Sequence, residues 1–403
     1  MNPLLLALLT MIALALLLAG LLRPKPMLLL AVATVVLFPH GTIERDYILE
    51  VVVGALLLAP LLGLCTHMVL GRVRGAIPAG WDRRVYFAFL AVMLVNGYIS
   101  VSGTPDLDWM AYGTKVLGFW LFIIFVKLFY AVIRSDPAYV GKIFWAFALS
   151  GALNVALILV AALDTPDRAT NLFGQSLMLP LPIVAATLAF YQFLRTRRAS
   201  LLWMAAFSLS VLAVLLTASR GLALALLAAV ALLALFRRGL LSPPKAALLL
   251  PLLVAALWLG GGFFERILSY DARDTVHARY DEIGMALNAF YASPVLGNGI
   301  GYRYIGDSLE LRLAAGSDYI HNAFFFILTS FGLSGLVVFA AYLVYSLRLV
   351  FRHRSGGDLF LLVGLSGLGI WVYSLTQAIF FTLSYNLYMA FVMAVAIKDS
   401  NEK

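Results

Sequence analysis

Apolar runs of roughly 17 to 25 residues, divided by short charged clusters, recur along nearly the whole chain and limit what it can fold into. At a rise of about 1.5 Å per residue, one such helical run crosses a hydrocarbon core about 30 Å thick. Stretches such as "LLLALLTMIALALLLAGLL" lack the polar/apolar alternation over about 10 residues that a transmembrane barrel strand requires. The chain is therefore predicted to be an all-α, polytopic membrane protein. A soluble globular domain is excluded by 63% hydrophobic and 12% charged residues over 403 positions, with a mean hydropathy of +0.96. Residues 4 to 22 carry no basic leader and no small-residue cleavage site, so they are read as a retained helix. The single Cys65 excludes an internal disulfide and a cysteine metal cluster.

A net charge of +9 invites a nucleic-acid reading, but the distribution of the charge opposes it. Of the 29 Lys and Arg residues, 17 fall in clusters around Arg23, Arg72 to Arg84, Arg134 to Lys142, Arg195 to Arg198, Arg237 to Lys245 and Arg348 to Arg354. These clusters occupy every second connection, as the positive-inside rule requires of cytoplasmic loops. The basicity is topological, and no nucleic-acid partner is expected. The opposite connections, "PHGTIERDY", "SVSGTPDLDW", "DTPDRATNLFGQS" and residues 263–320, hold most of the acidic side chains.

The expected helices run over 4–22, 27–38, 47–70, 85–100, 111–133, 140–163, 177–194, 200–217, 221–236, 246–262, 321–349, 359–379 and 385–397, giving about 12 crossings. Between Arg198 and Arg237 lie about 38 residues, roughly 57 Å of helix, so the chain crosses and returns there. Its polar break is "TASRG" (217–221), where Gly221 supplies permissive backbone and Arg220 reaches the outer boundary. Three regions follow: helices over 1–262, one large, partly helical outer loop over 263–320, and C-terminal helices with a short tail over 321–403. Within the loop, Val276, Tyr280, Ile283, Leu287, Phe290 and Tyr291 recur at helical spacing, predicting an amphipathic surface helix over 275–291. Pro294 ends it, Gly297, Gly299 and Gly301 make a close-approach turn, and a second helical stretch follows around 304–315. That glycine run is no dinucleotide fingerprint, having neither a preceding strand nor a βαβ unit.

The residues suited to chemistry gather on the outer side. A lone arginine at a membrane boundary ordinarily snorkels to headgroups. Arg220, however, has no carboxylate within ten residues in the sequence and suits an anion brought by a substrate. Arg279, beside Tyr280, can pair within its own helix with Asp281 or Glu282. Yet the outer loop also carries Arg266, Arg273, Arg303 and Arg312, a set topology does not explain, and guanidinium forks suit phosphate and pyrophosphate. His321 opens an apolar helix; it can serve merely as a local cap. With Ser317 or Asp318 as the cap, it falls in the first turn, where the helix dipole favours neutral imidazole, a general base that Asp318 can orient. Asn322 adds an amide for substrate hydroxyls. The five histidines are scattered, and the Asp106/Asp108 pair reads as helix-start chemistry, so neither a metal nor a cofactor is expected.

"TASRG", then "RYDEIGMALNAFYASPVLGNGIGYR", then "HNAFFFILTSFGLSG" resembles the O-antigen ligase and O-antigen polymerase superfamily of bacterial envelope glycosyltransferases. The resemblance covers residues 217–335; the first 200 residues match only as hydrophobic helices. It implies a fold of about 12 helices with one large periplasmic loop in the bacterial inner membrane. The implied donor is a glycan on undecaprenyl pyrophosphate, passed to an acceptor sugar with inversion. By that resemblance Arg220 and Arg279 hold the pyrophosphate and His321 deprotonates the acceptor. Asn322, Arg303, Arg266, Tyr280 and Asp318 are the accompanying substrate-binding candidates. The family often has tryptophan a few residues after the loop arginine; Ile283 and Gly284 stand there in this chain, so Arg266 and Arg303 remain alternatives to Arg279.

Ligation onto lipid A–core is the preferred reading, with membrane lipids as the surroundings. Polymerisation of undecaprenyl-linked repeats is the alternative. A non-enzymatic lipid-linked oligosaccharide transporter ranks third, because the chain shows no repeated halves.

Overall fold

The computed structural model describes residues 3–37, 47–70, 80–103, 109–164, 180–196, 200–217, 219–243, 245, 247, 271–302, 320, 322–376 and 382–401. These form thirteen α-helices and two short 3₁₀ turns, with no strand among the described residues. The helices are α1 (Pro3–Leu22), α2 (Pro24–Ala33), α3 (Tyr47–Val69), α4 (Gly80–Gly103), α5 (Trp109–Ser135), α6 (Tyr139–Asp164) and α7 (Leu181–Arg195). They continue with α8 (Ser200–Leu216), α9 (Arg220–Phe236), α10 (Asp271–Ala292), α11 (Ala323–His353), α12 (Asp358–Ser374) and α13 (Leu383–Asn401). Segments of α4, α5, α6 and α11 are long and apolar enough to cross a membrane, and shorter apolar helices accompany them, so the chain is a polytopic helical membrane protein. The helices expected over 246–262 and 304–315 lie outside the described residues. α2 begins at Pro24, earlier than its apolar run suggests, because a proline with fixed φ suits a first helical turn.

α12 is the central strut. Buried from Leu361 to Ile370, it packs on α7, α9, α11 and α13. Its glycines allow this: a Cβ on Gly364 would lie 3.0 Å from that of Leu349, and one on Gly369 would lie 2.9 Å from Ile183 and 3.1 Å from the Ala225 carbonyl. Small residues substitute here for the hydrophobic drive that helices lack among lipid tails.

One end of the bundle collects the basic clusters. The Arg237 guanidinium donates to Asp358 at 3.0 Å and to the Arg354 carbonyl at 2.5 Å, while Tyr191 donates its hydroxyl to the same aspartate. Arg352 and His353 both engage Asp399, at 2.7 and 3.1 Å. Lys25 and Lys142 sit over the Tyr139 ring, and Gly141 packs beside Leu359, at the same end. Clusters far apart in the sequence thus share one side of the molecule, as their spacing predicted.

The other end is built around a broken helix. At Gly332 α11 leaves helical geometry (φ 65°, ψ −162°), a conformation open essentially to glycine alone. The break releases two amides and two carbonyls that an unbroken helix would pair, Leu333 and Ser334 N–H with Thr329 and Ser330 C=O. The segment after α10 takes up all four. Leu333 donates to Pro294 (2.9 Å) and Ser334 to Val295 (3.1 Å), while Asn298 donates to Thr329 (2.8 Å) and Gly299 to Ser330 (3.0 Å). The "PVLGNG" segment is therefore inserted into the helix as its missing hydrogen-bonding partner. Glycine makes the approach possible from both sides: a Cβ on Gly297 would come within 2.4 Å of the Ser330 backbone, and one on Gly332 within 2.5 Å of Val295.

The half-helix 323–331 slants back toward the bundle. Ser346 lies against Gly364 and Gly367 across the antiparallel α11/α12 pair, so Leu375 stands opposite about residue 336, roughly 6 Å inward of Gly332. Asn322, at the start of the half-helix, nevertheless bonds Leu375, and Ile327 comes against Gly335. α10 follows the predicted amphipathic helix but presents a different face. Among its described side chains Ala286 and Ala289 are buried, whereas Tyr280 and Tyr291 remain exposed, because small side chains let α10 close on α11.

Gly297→Ala and Gly332→Ala should each lower stability by at least about 2 kcal/mol, from left-handed backbone strain plus main-chain collision. Gly284→Ala, where an added Cβ meets nothing within 4 Å, should stabilise α10 by roughly 0.5–1 kcal/mol. Thermal unfolding of the purified variants checks the contrast; equal losses at all three positions would contradict the interlock.

Candidate active site

Each residue of the "TASRG" turn has a separate task. The Thr217 hydroxyl closes α8 by donating to the Val214 carbonyl (2.7 Å) and accepts from the Ser219 amide (3.3 Å). Ser219, extended at φ −85° and ψ 104°, caps α9 by accepting from the Leu222 amide. Arg220 is thereby the first residue of α9, with its side chain exposed. Gly221 differs from expectation. It lies within α9 and is not among the positive-φ glycines. What it supplies is space, since an added Cβ would fall 1.6 Å from the Thr376 hydroxyl oxygen.

The start of α11 also corrects an expectation. Its cap is Asn322, not Ser317 or Asp318: the Asn322 side-chain oxygen accepts from the Phe324 (2.9 Å) and Phe325 (3.3 Å) amides. The helix begins at Ala323, so His321 precedes the cap instead of falling in the first turn. The other half of the Asn322 amide donates to the Leu375 carbonyl at 2.8 Å. Both ends of that side chain are thus engaged, one building the helix start and one tying it to α12.

These contacts bring the two candidate segments together. Gly221 abuts Thr376, and Asn322 bonds Leu375, so the starts of α9 and α11 meet on two consecutive residues at the end of α12. Two helix N-termini then face one locality, each presenting the positive end of a helix dipole. Beside an exposed arginine, such a place favours an anion. Tyr280 is exposed on α10. Arg279 belongs to the same helix, though its side chain lies outside the described residues, as do His321, Arg266, Arg303 and Asp318 altogether.

Residues the sequence reading passed over complete the arrangement. Leu375 and Thr376 are the hub on which α9 and α11 meet, yet neither carries distinctive chemistry. Asn96 in α4, only 2% exposed, donates to the Ser330 carbonyl at 2.6 Å and accepts from the Ile300 amide at 3.3 Å. An amide inside an apolar helix was a usable signal, because intramembrane polar groups are costly unless employed.

Against known families, residues 205–340 match the family described as O-antigen ligase, from within α8 to within α11. No curated protein and no solved structure matches the chain. The matched span contains the Arg220 turn, α10, the inserted glycine segment, Asn322 and the Gly332 break. The region from residue 205 to residue 340, about a third of the chain, is thus similar to the O-antigen ligase family.

Proposed function

We propose that the protein is an O-antigen ligase of the bacterial inner membrane. In this reading it transfers polysaccharide from undecaprenyl pyrophosphate to a sugar of lipid A–core at the periplasmic face. The observation that carries this reading is the meeting of the α9 and α11 starts on Leu375 and Thr376, which brings the neighbours of Arg220 and His321 together. The collection of basic clusters at the opposite end supports a cytoplasmic assignment for that end, and hence a periplasmic one for the site.

In the proposed reaction, the donor pyrophosphate lies against Arg220, the positive end of the α9 dipole and a loop arginine, Arg279 first among Arg266 and Arg303. His321 accepts the proton of the acceptor hydroxyl as its oxygen attacks the anomeric carbon. The carbon–oxygen bond to pyrophosphate breaks as the new glycosidic bond forms, with inversion, and the electron pair leaves on undecaprenyl pyrophosphate. The arginines and helix dipoles neutralise the growing charge on that leaving group, so the mechanism needs neither a metal nor a strong general acid. Tyr280, Asp318 and Asn322 complete the proposed substrate surround, with Asn322 acting through the helix start it caps.

His321→Ala should reduce glycan transfer by about 10²- to 10⁴-fold while the protein remains inserted. Arg220→Ala should cost about 10²- to 10³-fold, and Arg220→Lys should restore only part of it, since an ammonium lacks the planar fork. Normal transfer by the His321 or Arg220 alanine variant, measured with purified protein, lipid-linked polysaccharide and lipid A–core, would overturn the assignment.

Three further outcomes bear on the reading. If the product is a longer undecaprenyl-linked chain and no lipid A–core conjugate forms, the protein is a polymerase. Transfer should fall as pH is lowered through the range in which imidazole takes up a proton, because only neutral His321 can accept the hydroxyl proton. Activity should persist in excess chelator.

A further inference from the structure

α4 lies at the edge of the bundle, where Leu94, Tyr98 and Val101 are exposed. Among its described residues it buries two polar side chains, Asn96 and Ser100. A carboxamide in a lipid-facing helix is costly unless its donor and acceptor are both used. Asn96 uses both across the seam between the inserted segment and the broken helix. Its Nδ2 donates to the Ser330 carbonyl, one of the two carbonyls released at Gly332, and its Oδ1 accepts from the Ile300 amide. Ser100 donates to the same Oδ1 at 3.5 Å, and Gly299 packs so closely on Ser100 that an added Cβ would lie 2.9 Å from its backbone.

The Ser330 carbonyl therefore has two donors, Gly299 N–H from the loop and Asn96 from α4. The half-helix 323–331 is held at its far end by this pair and at its near end by the Asn322 tether to Leu375. Nothing in the matched family span includes α4, which ends about a hundred residues before residue 205.

We propose that Asn96 is a positioning residue for the reaction. By fixing the broken end of the half-helix to the glycine segment, it sets where the other end presents His321 to the acceptor. This rests on the glycosyl-transfer reading above. Displacements near 1 Å at a reacting group can cost up to about 100-fold in rate, so the expected signature is kinetic.

The test uses the full-length protein in lipid nanodiscs, with lipid-linked polysaccharide and lipid A–core as substrates. Asn96→Leu, nearly isosteric, loses both hydrogen bonds while filling the same space; Asn96→Ala loses both and leaves that space empty. Each should lower kcat by about 10- to 100-fold with little change in KM for the donor. Amide exchange in residues 297–300 should quicken in both variants.

A kcat within twofold of wild type in either inserted variant would overturn the proposal, as would failure of both variants to insert, which would make the role structural alone. His321→Ala is assayed in parallel. If it is inactive while Asn96→Leu is fully active, only the positioning role fails; if it is active, the parent reading fails whatever Asn96 does.

Discussion

Four main-chain groups released by one glycine organise this molecule. In a low-dielectric setting an unpaired amide or carbonyl costs several kcal/mol, so a membrane helix can break only where replacement partners are already in place. Here they come from a segment that must itself be nearly free of side chains to reach them. The glycines of the inserted segment and of the helix are two halves of one fitting, in which Gly297 and Gly332 each lie where the opposing backbone would meet a Cβ. The position of α10, the slant of the half-helix and the location of Asn322 all follow from that fit.

α12 transmits the arrangement through the bundle. At the basic end its first residue, Asp358, holds Arg237, the cap that closes α9; just past its other end Thr376 fills the space left by Gly221 of α9. Two contacts at opposite ends fix the register of α9 on α12, and with it the place of Arg220. The aromatic packing of Phe119, Phe331 and Phe339 supports the break from the α5 side. The site is thus built from backbone and small side chains, with charge added at its edge.

Much of this was legible in the sequence. The hydrophobic runs predicted the helices, and the alternation of basic clusters predicted which ends would gather. The "TASRG", glycine-loop and "HN" motifs marked the elements that meet. Three things were not legible. Gly221 read as a turn glycine because a polar break in an apolar run looks like a turn, and its true contact, Thr376, lies 155 positions away. Asn322 read as a substrate amide since nothing local distinguishes a capping asparagine from a binding one. The break at Gly332 was hidden because hydropathy is blind to φ: "FGLSG" is as apolar as its surroundings, and only the partner segment makes the interruption stable.

The lengths of the helices that end at the site carry a last consequence. α8 and α9, which leave leucines exposed, have 17 residues each, about 25 Å of helix, whereas a bilayer's hydrocarbon layer is about 30 Å deep. Lipid packed around such short helices must thin or dimple by several ångströms where they stop. The rim bearing Arg220 would then lie in a shallow basin of the leaflet, below the plane of the surrounding headgroups. A lipid whose phosphates sit at the interface would sink toward the two helix starts as it diffused in, and a saccharide approaching from the water would meet it at the floor of that basin.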